Sequence, residues 1–315
     1  MKNPLRLLAL LSLAAAVSAA ESPVRRDVPY AGTTDPEQTL DVYAGPSGSG
    51  HPVMIWIHGG GWAGGDKADP TDTPALKAEM CRGRGCLLVS VNYRLLDGRN
   101  IPSGSHAAAN IGEIESDLAK AARWVHLHAA EFGGDPDFFF VMGHSAGAQL
   151  AALLCTDERY LQAEGLSLGL VKGCIPVDGD TYHPSLQIDM STPRRATGYR
   201  LKFPDGRLQR HYSSVLQVSP GKGIPPFLLL HVADFPETGT RIQAEVLAQT
   251  LRNAGIPART FAAPGQTHLT LDADLGRPDD PATKVLAVFL DEQIWRNDYS
   301  HWSRSAKVPP PAPRE

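Results

Sequence analysis

The sequence predicts a single α/β domain organised around a mostly parallel sheet, and three observations carry that expectation. Strand-length apolar runs alternate with helix-length segments along nearly all of the 315 residues, with no internal repeat and no linker to divide them. Most of those runs are apolar throughout, as befits strands covered on both faces. Several empty directly into glycine-rich or acidic turns, and in parallel sheets functional groups gather beyond the carboxyl ends of the strands. A hydrophobic content of 42% is ample for one sizeable core.

Residues 1–20 stand apart from this pattern. Lys2 and Arg6 precede an apolar run at 7–17, and Ser18, Ala19 and Ala20 lead into Glu21. This is the pattern of a secretory signal peptide cut after Ala19 or Ala20, and it predicts a secreted or periplasmic protein. The run is too short to span a bilayer, and no later stretch reaches the roughly 20 apolar residues that a membrane helix needs. Without Lys2 and Arg6 the formal charge moves from -4 to -6. A mildly acidic chain with no Lys/Arg run that could track phosphates makes nucleic acid a poor candidate partner. Cys81 with Cys86, and Cys155 with Cys174, are open to disulfide pairing in an exported chain or to burial as free thiols. None has metal-ligand spacing, so no metal is expected.

In chain order, residues 38–43 (Gln-Thr-Leu-Asp-Val-Tyr) alternate as an edge strand does. Residues 52–57 read as a buried strand that runs into His58-Gly59-Gly60-Gly61-Trp62. Three successive glycines leave the backbone bare, so amide N–H groups there can approach a developing oxyanion closely. A further strand at 87–91 precedes Asn92-Tyr93-Arg94-Leu95. A helix is expected at about 107–131, with Ile111, Ile114, Leu118, Ala121, Ala122 and Val125 on its buried face. His126 and His128 on it read as surface or packing residues.

The organising stretch follows. Phe138 to Met142 is a buried strand, Ala146 to Leu154 an alanine-rich helix, and Gly143-His144-Ser145-Ala146-Gly147 lies between them. A strand turning straight into a helix forces strained angles on the serine and brings neighbouring backbone too close for side chains, which is why glycine flanks it. The turn lifts the Ser145 hydroxyl into the open. Residues 171–177 form the next strand and enter Asp178-Gly179-Asp180. From 180 to 225 the sequence becomes polar and rich in Pro and Arg, and it reads as a cap over the site. Strands at 226–232 and 259–262, helices at 240–254 and 281–294, and a Pro-rich tail at 308–315 complete the chain, with the domain proper at 21–307.

A serine hydroxyl needs a neighbour to take its proton as it attacks, and histidine suits that task near neutral pH. His268 lies in a glycine-containing turn just past the last strand. An aspartate on the imidazole would fix its tautomer. Asp234, at the end of strand 226–232, is the choice here, with Asp178, Asp180 and Glu237 as other acids beyond strand ends.

At these residues the chain resembles the α/β-hydrolase esterases of the hormone-sensitive-lipase and carboxylesterase type, over nearly the whole mature length. The resembling pieces are Gln38 to Tyr43, His58-Gly59-Gly60-Gly61-Trp62 with Gly65-Asp66-Lys67, Val91 to Leu95, Gly143 to Gly147, and Gly265 to His268. The resemblance implies the α/β-hydrolase fold, with helices on both faces of the central sheet and a small cap. It implies Ser145 as nucleophile, His268 as base, and the amides of Gly60, Gly61 and Ala146 as oxyanion hole, with no cofactor. One departure is visible: the family commonly reads His-Gly-x-x-Asp at the acid strand, and this chain has the shorter His231-Val232-Ala233-Asp234.

The expected activity is hydrolysis of small-molecule or polysaccharide-linked esters. Kynurenine formamidases and feruloyl or acetyl-xylan esterases share the motifs, and export favours an external ester over a cytosolic formamide. A non-catalytic binding protein on the same scaffold is the contrasting class, disfavoured because serine and histidine both remain. A prolyl-oligopeptidase-type peptidase would need an extra gating domain.

Overall fold

A computed structural model describes residues 22–71, 73–96, 109–233 and 239–305. The expected signal segment and the Pro-rich tail lie outside the described residues. The first half of the chain contributes β1 (Arg25–Pro29), β2 (Thr39–Tyr43), β3 (His51–Ile57), α1 (Pro74–Gly83), β4 (Leu87–Val91), α2 (Ile111–His128) and β5 (Gly134–His144). The second half contributes α3 (Ala146–Thr156), α4 (Glu158–Ala163), β6 (Val171–Val177), α5 (Pro184–Met190), α6 (Pro193–Lys202), α7 (Gly206–His211) and α8 (Ser214–Gln217). It ends with β7 (Phe227–Val232), α9 (Thr240–Asn253), β8 (Ala258–Ala263), α10 (His268–Asp274) and α11 (Pro281–Ser305).

Among the described residues, eight strands form one sheet in the order β1-β2-β4-β3-β5-β6-β7-β8. The β1/β2 and β2/β4 pairs are antiparallel and every later pair is parallel. Because successive side chains on a strand point to opposite faces, continuous apolar strands feed two cores at once. Val53, Ile55 and Ile57 of β3 join Leu118, Leu150 and Leu247 on one face, while Met54 and Trp56 join Cys81, Leu271 and Leu286 on the other. This is the α/β-hydrolase architecture, with helices on both faces.

Two elements differ from the sequence reading. Residues 39–43 form no edge: β2 is buried throughout between β1 and β4. The edge is β1, whose Arg25, Arg26 and Asp27 are exposed, and charged residues suit a strand that must not recruit another. Helix α1 has no counterpart in the reading. Its buried Lys77 lies 4.5 Å from the Trp56 ring centre and 2.9 Å from the Asp272 carboxylate, so a charge occupies a core position and breaks the apolar period. Helix α2 starts where Asn110 and Glu113 close a reciprocal capping box, at 3.1 and 2.8 Å, and its expected apolar face is buried. All four cysteines are buried free thiols, so the disulfide alternative is not realised.

Candidate active site

Ser145 stands between β5 and α3 with φ 56° and ψ -116°, a conformation L-residues rarely adopt. The two motif glycines are what make it possible. A Cβ on Gly143 would lie 2.3 Å from the Gly147 carbonyl oxygen, and one on Gly147 would lie 2.2 Å from that of Ile57. The turn is anchored to the next strand by the Ser145 amide, which donates to the Val177 carbonyl at 2.9 Å.

His268 is the first residue of α10, whose start is set by a capping box between Thr267 and Thr270. Its Nε2 lies 2.9 Å from Ser145 Oγ, so the hydroxyl donates to it, and its Nδ1–H donates to Asp178 Oδ2 at 2.6 Å. The other Asp178 oxygen accepts from the Val232 amide at 2.9 Å, and the Asp178 side chain is fully enclosed. Burial pushes the Asp178 carboxyl up, but hydrogen bonds from His268 and the Val232 amide outweigh it and hold the group below the usual carboxylate range. Burial likewise disfavours the imidazolium of His268. The hydrogen bond and charge of Asp178, with Asp180 and Asp272 behind it, overcome that and raise the His268 pKa.

The acid contact on His268 is thus made by Asp178, at the end of β6, in place of the Asp234 chosen from sequence. Asp234 lies outside the described residues. The physical reason is sheet order: β6 pairs directly with β5, so its carboxyl end sits one strand away from the serine turn. The signal was present in the sequence as an acid immediately after a buried strand, shared with its competitors.

His144 has a larger place than the variable residue of a motif. It is nearly buried, its Nε2–H donates to the His268 carbonyl at 3.0 Å, and its ring centre lies 4.5 Å from that of His268. Its Nδ1 lies 3.6 Å from Asp272, which holds Lys77. The residue beside the serine therefore clasps the backbone of the histidine.

The glycine loop is braced on both sides. The His58 Nδ1–H donates to the Gly59 carbonyl at 2.9 Å, its ring stacks on Tyr93 at 4.3 Å, and the Tyr93 hydroxyl donates to the His58 and Gly59 carbonyls at 3.0 and 3.1 Å. Trp62 Nε1–H donates to Gln149 of α3 at 3.0 Å. Gly60 has φ +99°, and a Cβ there would strike the Gly64 carbonyl at 2.1 Å. Sequence pieces without evident chemistry are the outer brace: Lys67 pairs with Asp41 at 3.3 Å and with Asp27 at 2.6 Å. Arg94 meets Asp117 at 2.7 Å, and Asp117 also accepts from Gln38 at 2.7 Å.

Two clefts meet at the serine. One of about 360 Å³ is bordered by Gly60, Gly61, Ser145 and His268, and one of about 210 Å³ by Gly61, Trp62, Ser145, Ala146 and the α6 residues Tyr199 and Lys202. Gly60, Gly61 and Ala146 thus border the same space as the Ser145 hydroxyl. Among the described residues no group of three or more His, Cys, Asp or Glu could hold a metal ion, and no helix is long and apolar enough to cross a membrane.

The family model BD-FAE matches residues 40–169. A protein of Arabidopsis thaliana described as a probable isoprenylcysteine alpha-carbonyl methylesterase is 27% identical over 288 residues, covering 85% of this chain and 56% of that protein. The fumonisin B1 esterase of Sphingopyxis macrogoltabida is 33% identical over 174 residues, covering 50% of this chain and 31% of that protein. The chain therefore spans about half the length of one curated relative and less of the other. Among solved structures, esterase B from Lactobacillus rhamnosis superposes with a TM-score of 0.68 over 88% of this chain and 87% of its own, at 21% identity, a likeness of fold.

Proposed function

We propose that this chain, which has the α/β-hydrolase fold, is a serine esterase of the hormone-sensitive-lipase-like type acting on carboxylic esters. Ser145 Oγ attacks the ester carbonyl while His268 Nε2 takes its proton, and Asp178 holds the imidazole in the tautomer that can accept. The oxyanion is received by the amides of Gly60 and Gly61, on a loop braced before substrate arrives, and by that of Ala146 at the start of α3. The alcohol leaves with the proton from Nε2. Water, activated by the same nitrogen, then frees the acyl group from Ser145. All of this uses the chain's own groups, so no cofactor is required.

The observation that carries this reading is the unbroken line from Ser145 Oγ through His268 to Asp178, at 2.9 and 2.6 Å. The two clefts beside the serine are consistent with an ester, which has an acyl and an alcohol half to accommodate. Substrates are small-molecule or polysaccharide-linked esters, and export is part of the proposal, supported by Lys2, Arg6 and the apolar run before Ala19 and Ala20.

The test is hydrolysis of p-nitrophenyl esters from acetate to octanoate by the protein and by Ser145→Ala. The expected outcome is cleavage by the parent and a loss in kcat on the order of a millionfold in the variant. Full activity in Ser145→Ala would refute the mechanism. Recovery of a mature protein beginning just after Ala19 or Ala20 is the outcome expected of export, and full-length protein confined to the cytosol contradicts it.

A further inference from the structure

One glycine beside the serine cleft has no backbone reason to be glycine. Gly198 stands in the middle of α6, a helix of 10 residues, although glycine is the poorest helix former after proline. Its φ is not in the left-handed region that favours glycine. Among the described residues, a Cβ there would meet no heavy atom beyond its immediate helix neighbours within 4 Å. At Gly60, Gly143 and Gly147, by contrast, a Cβ would strike backbone at 2.1, 2.3 and 2.2 Å.

What Gly198 does have is a place on two cavities. Helix residues three and four apart share a face. Arg195, Gly198, Tyr199 and Lys202 accordingly border the cleft of about 210 Å³ that contains Ser145. Gly198, Leu201 and Lys202 border a second cavity, of about 710 Å³, whose wall continues through Leu208 and Tyr212. The two spaces thus adjoin along one turn of α6, and at Gly198 only backbone stands between them. Leu201 is 81% exposed, and an apolar group seated in the outer cavity would cover it. The charges on the inner cleft are answered by the protein itself. Arg195 is 3.2 Å from Asp180, whose carboxylate also receives Tyr199 Oη–H, and the Lys202 ammonium lies 4.9 Å from the Trp62 ring centre. Such a wall suits an uncharged guest.

The chemistry decides which half of an ester points this way. The tetrahedral carbon formed on Ser145 bears Oγ, the oxyanion, the leaving oxygen and the acyl chain. The oxyanion faces the glycine loop, and the leaving oxygen has to reach His268 Nε2 for its proton. The alcohol half therefore belongs in the cleft of about 360 Å³ that His268 and Leu269 border. The acyl chain belongs in the cleft under α6, which His268 does not border.

We propose that Gly198 determines acyl specificity: by carrying no side chain it leaves a passage from the serine cleft to the outer cavity, through which an extended, uncharged acyl group reaches past α6. The proposal rests on the serine-esterase reading above and names its substrate class, esters whose acyl group outruns the inner cleft.

The experiment measures kcat/KM for p-nitrophenyl acetate and octanoate, which vary the acyl half, and for ethyl and octyl acetate, which vary the alcohol half. The parent is compared with Gly198→Leu, Leu201→Asp and Thr197→Leu. In Gly198→Leu the octanoate-to-acetate ratio is expected to fall about tenfold, the scale on which an apolar pocket discriminates by size. Leu201→Asp, which puts a charge in the wall of the outer cavity, is expected to lower it by a similar factor. The octyl-to-ethyl ratio should stay at the parent value in both. Thr197 is exposed and borders neither cavity, so Thr197→Leu adds the same side chain elsewhere on α6 and is expected to leave both ratios in place. Gly198→Leu is expected to melt at or above the parent, because a better helix former enters open space.

A parent that cleaves esters, with an octanoate-to-acetate ratio unchanged in Gly198→Leu or in Leu201→Asp, overturns the passage and leaves the esterase reading standing. A fall in the octyl-to-ethyl ratio overturns the acyl assignment. An equal fall in Thr197→Leu would trace the effect to the helix as a whole and overturn the role of Gly198, as would a Gly198→Leu that fails to fold, since the open space would then be absent. A parent that cleaves no ester in either series overturns both readings.

Discussion

Replacing Asp178 by Asn tests the mechanism at the point where sequence and structure part. One carboxylate oxygen of Asp178 accepts from the Val232 amide at 2.9 Å and the other accepts from His268 Nδ1–H at 2.6 Å, in a fully enclosed site. An asparagine has one acceptor and one donor group. The Val232 N–H can only be met by the amide oxygen, which turns the NH₂ toward Nδ1 and places donor against donor. His268 must then adopt the other tautomer, with its proton on Nε2, where it can no longer accept from Ser145.

The expected loss in kcat is about 10⁴-fold, or about 5 kcal/mol on the barrier, with substrate binding little changed. Asp178→Ala removes the charge without imposing the wrong tautomer. Its residual activity carries a second signature. Asp178 raises the His268 pKa, and catalysis needs the neutral imidazole, so activity rises with pH through that pKa. Without the carboxylate the pKa falls, and the acid limb of the kcat/KM profile moves to lower pH. Stopped-flow or steady-state p-nitrophenyl ester assays across the acid limb measure both effects, with Asp234→Asn as the parallel variant, expected to stay near the parent. The reasoning is refuted if Asp178→Asn keeps more than about a tenth of kcat, a loss under 1.4 kcal/mol, while Asp234→Asn collapses.

Two other perturbations follow from the same structure. His144→Phe removes the donor to the His268 carbonyl and is expected to lower kcat by about 10- to 100-fold with KM nearly unchanged, as small misplacements of a catalytic group do. His144→Gln, which keeps a donor, should recover part of the loss, and an unaltered kcat in His144→Phe would dismiss the clasp. Glu115 on α2 is fully buried, and neither oxygen has a hydrogen-bond partner among the described residues. Burial, with Asp157 and Cys155 nearby, raises its pKa well above the usual value. The folded state then holds a proton that the unfolded chain gives up above about pH 4.3, so this residue's contribution to stability falls as pH rises from there toward the folded pKa. Glu115→Leu should raise Tm by roughly 3–6 °C near pH 8, from about 1–2 kcal/mol, and by less near pH 4. Equal melts of parent and variant at both pH values would contradict the buried-acid account.

The uneven legibility of this site in its sequence has a physical cause. A nucleophile at a strand-to-helix turn needs strained angles and bare neighbours, and both needs are met within five residues. Gly143 and Gly147 therefore announce Ser145 locally, and the contacts of 2.3 and 2.2 Å that a Cβ would make explain why nothing else fits there. His268 was nearly as legible, because it is the histidine in a glycine-containing turn after the last strand. The acid has no such local requirement. Any carboxylate at the mouth of the sheet satisfies the chemistry, and the sequence offers Asp178, Asp180, Asp234 and Glu237. What selects Asp178 is that β6 lies against β5, together with the Val232 amide reaching it from β7, and neither neighbour is near it in the chain.

The braces are legible for the same reason only in hindsight of the fold. Asp41 with Lys67, and Gln38 and Arg94 with Asp117, bind segments up to 79 positions apart, so each half of a pair reads alone as an ordinary surface charge or amide. His144 is the instructive mixed case. It sits inside the motif, but its function depends on a carbonyl 124 positions away, and a Cβ on Gly59 would stand only 3.1 Å from its ring. The glycine loop, the serine turn and the histidine helix are therefore sterically one unit. Substitution at any of the three should register at the Ser145 to His268 hydrogen bond even where it touches neither residue.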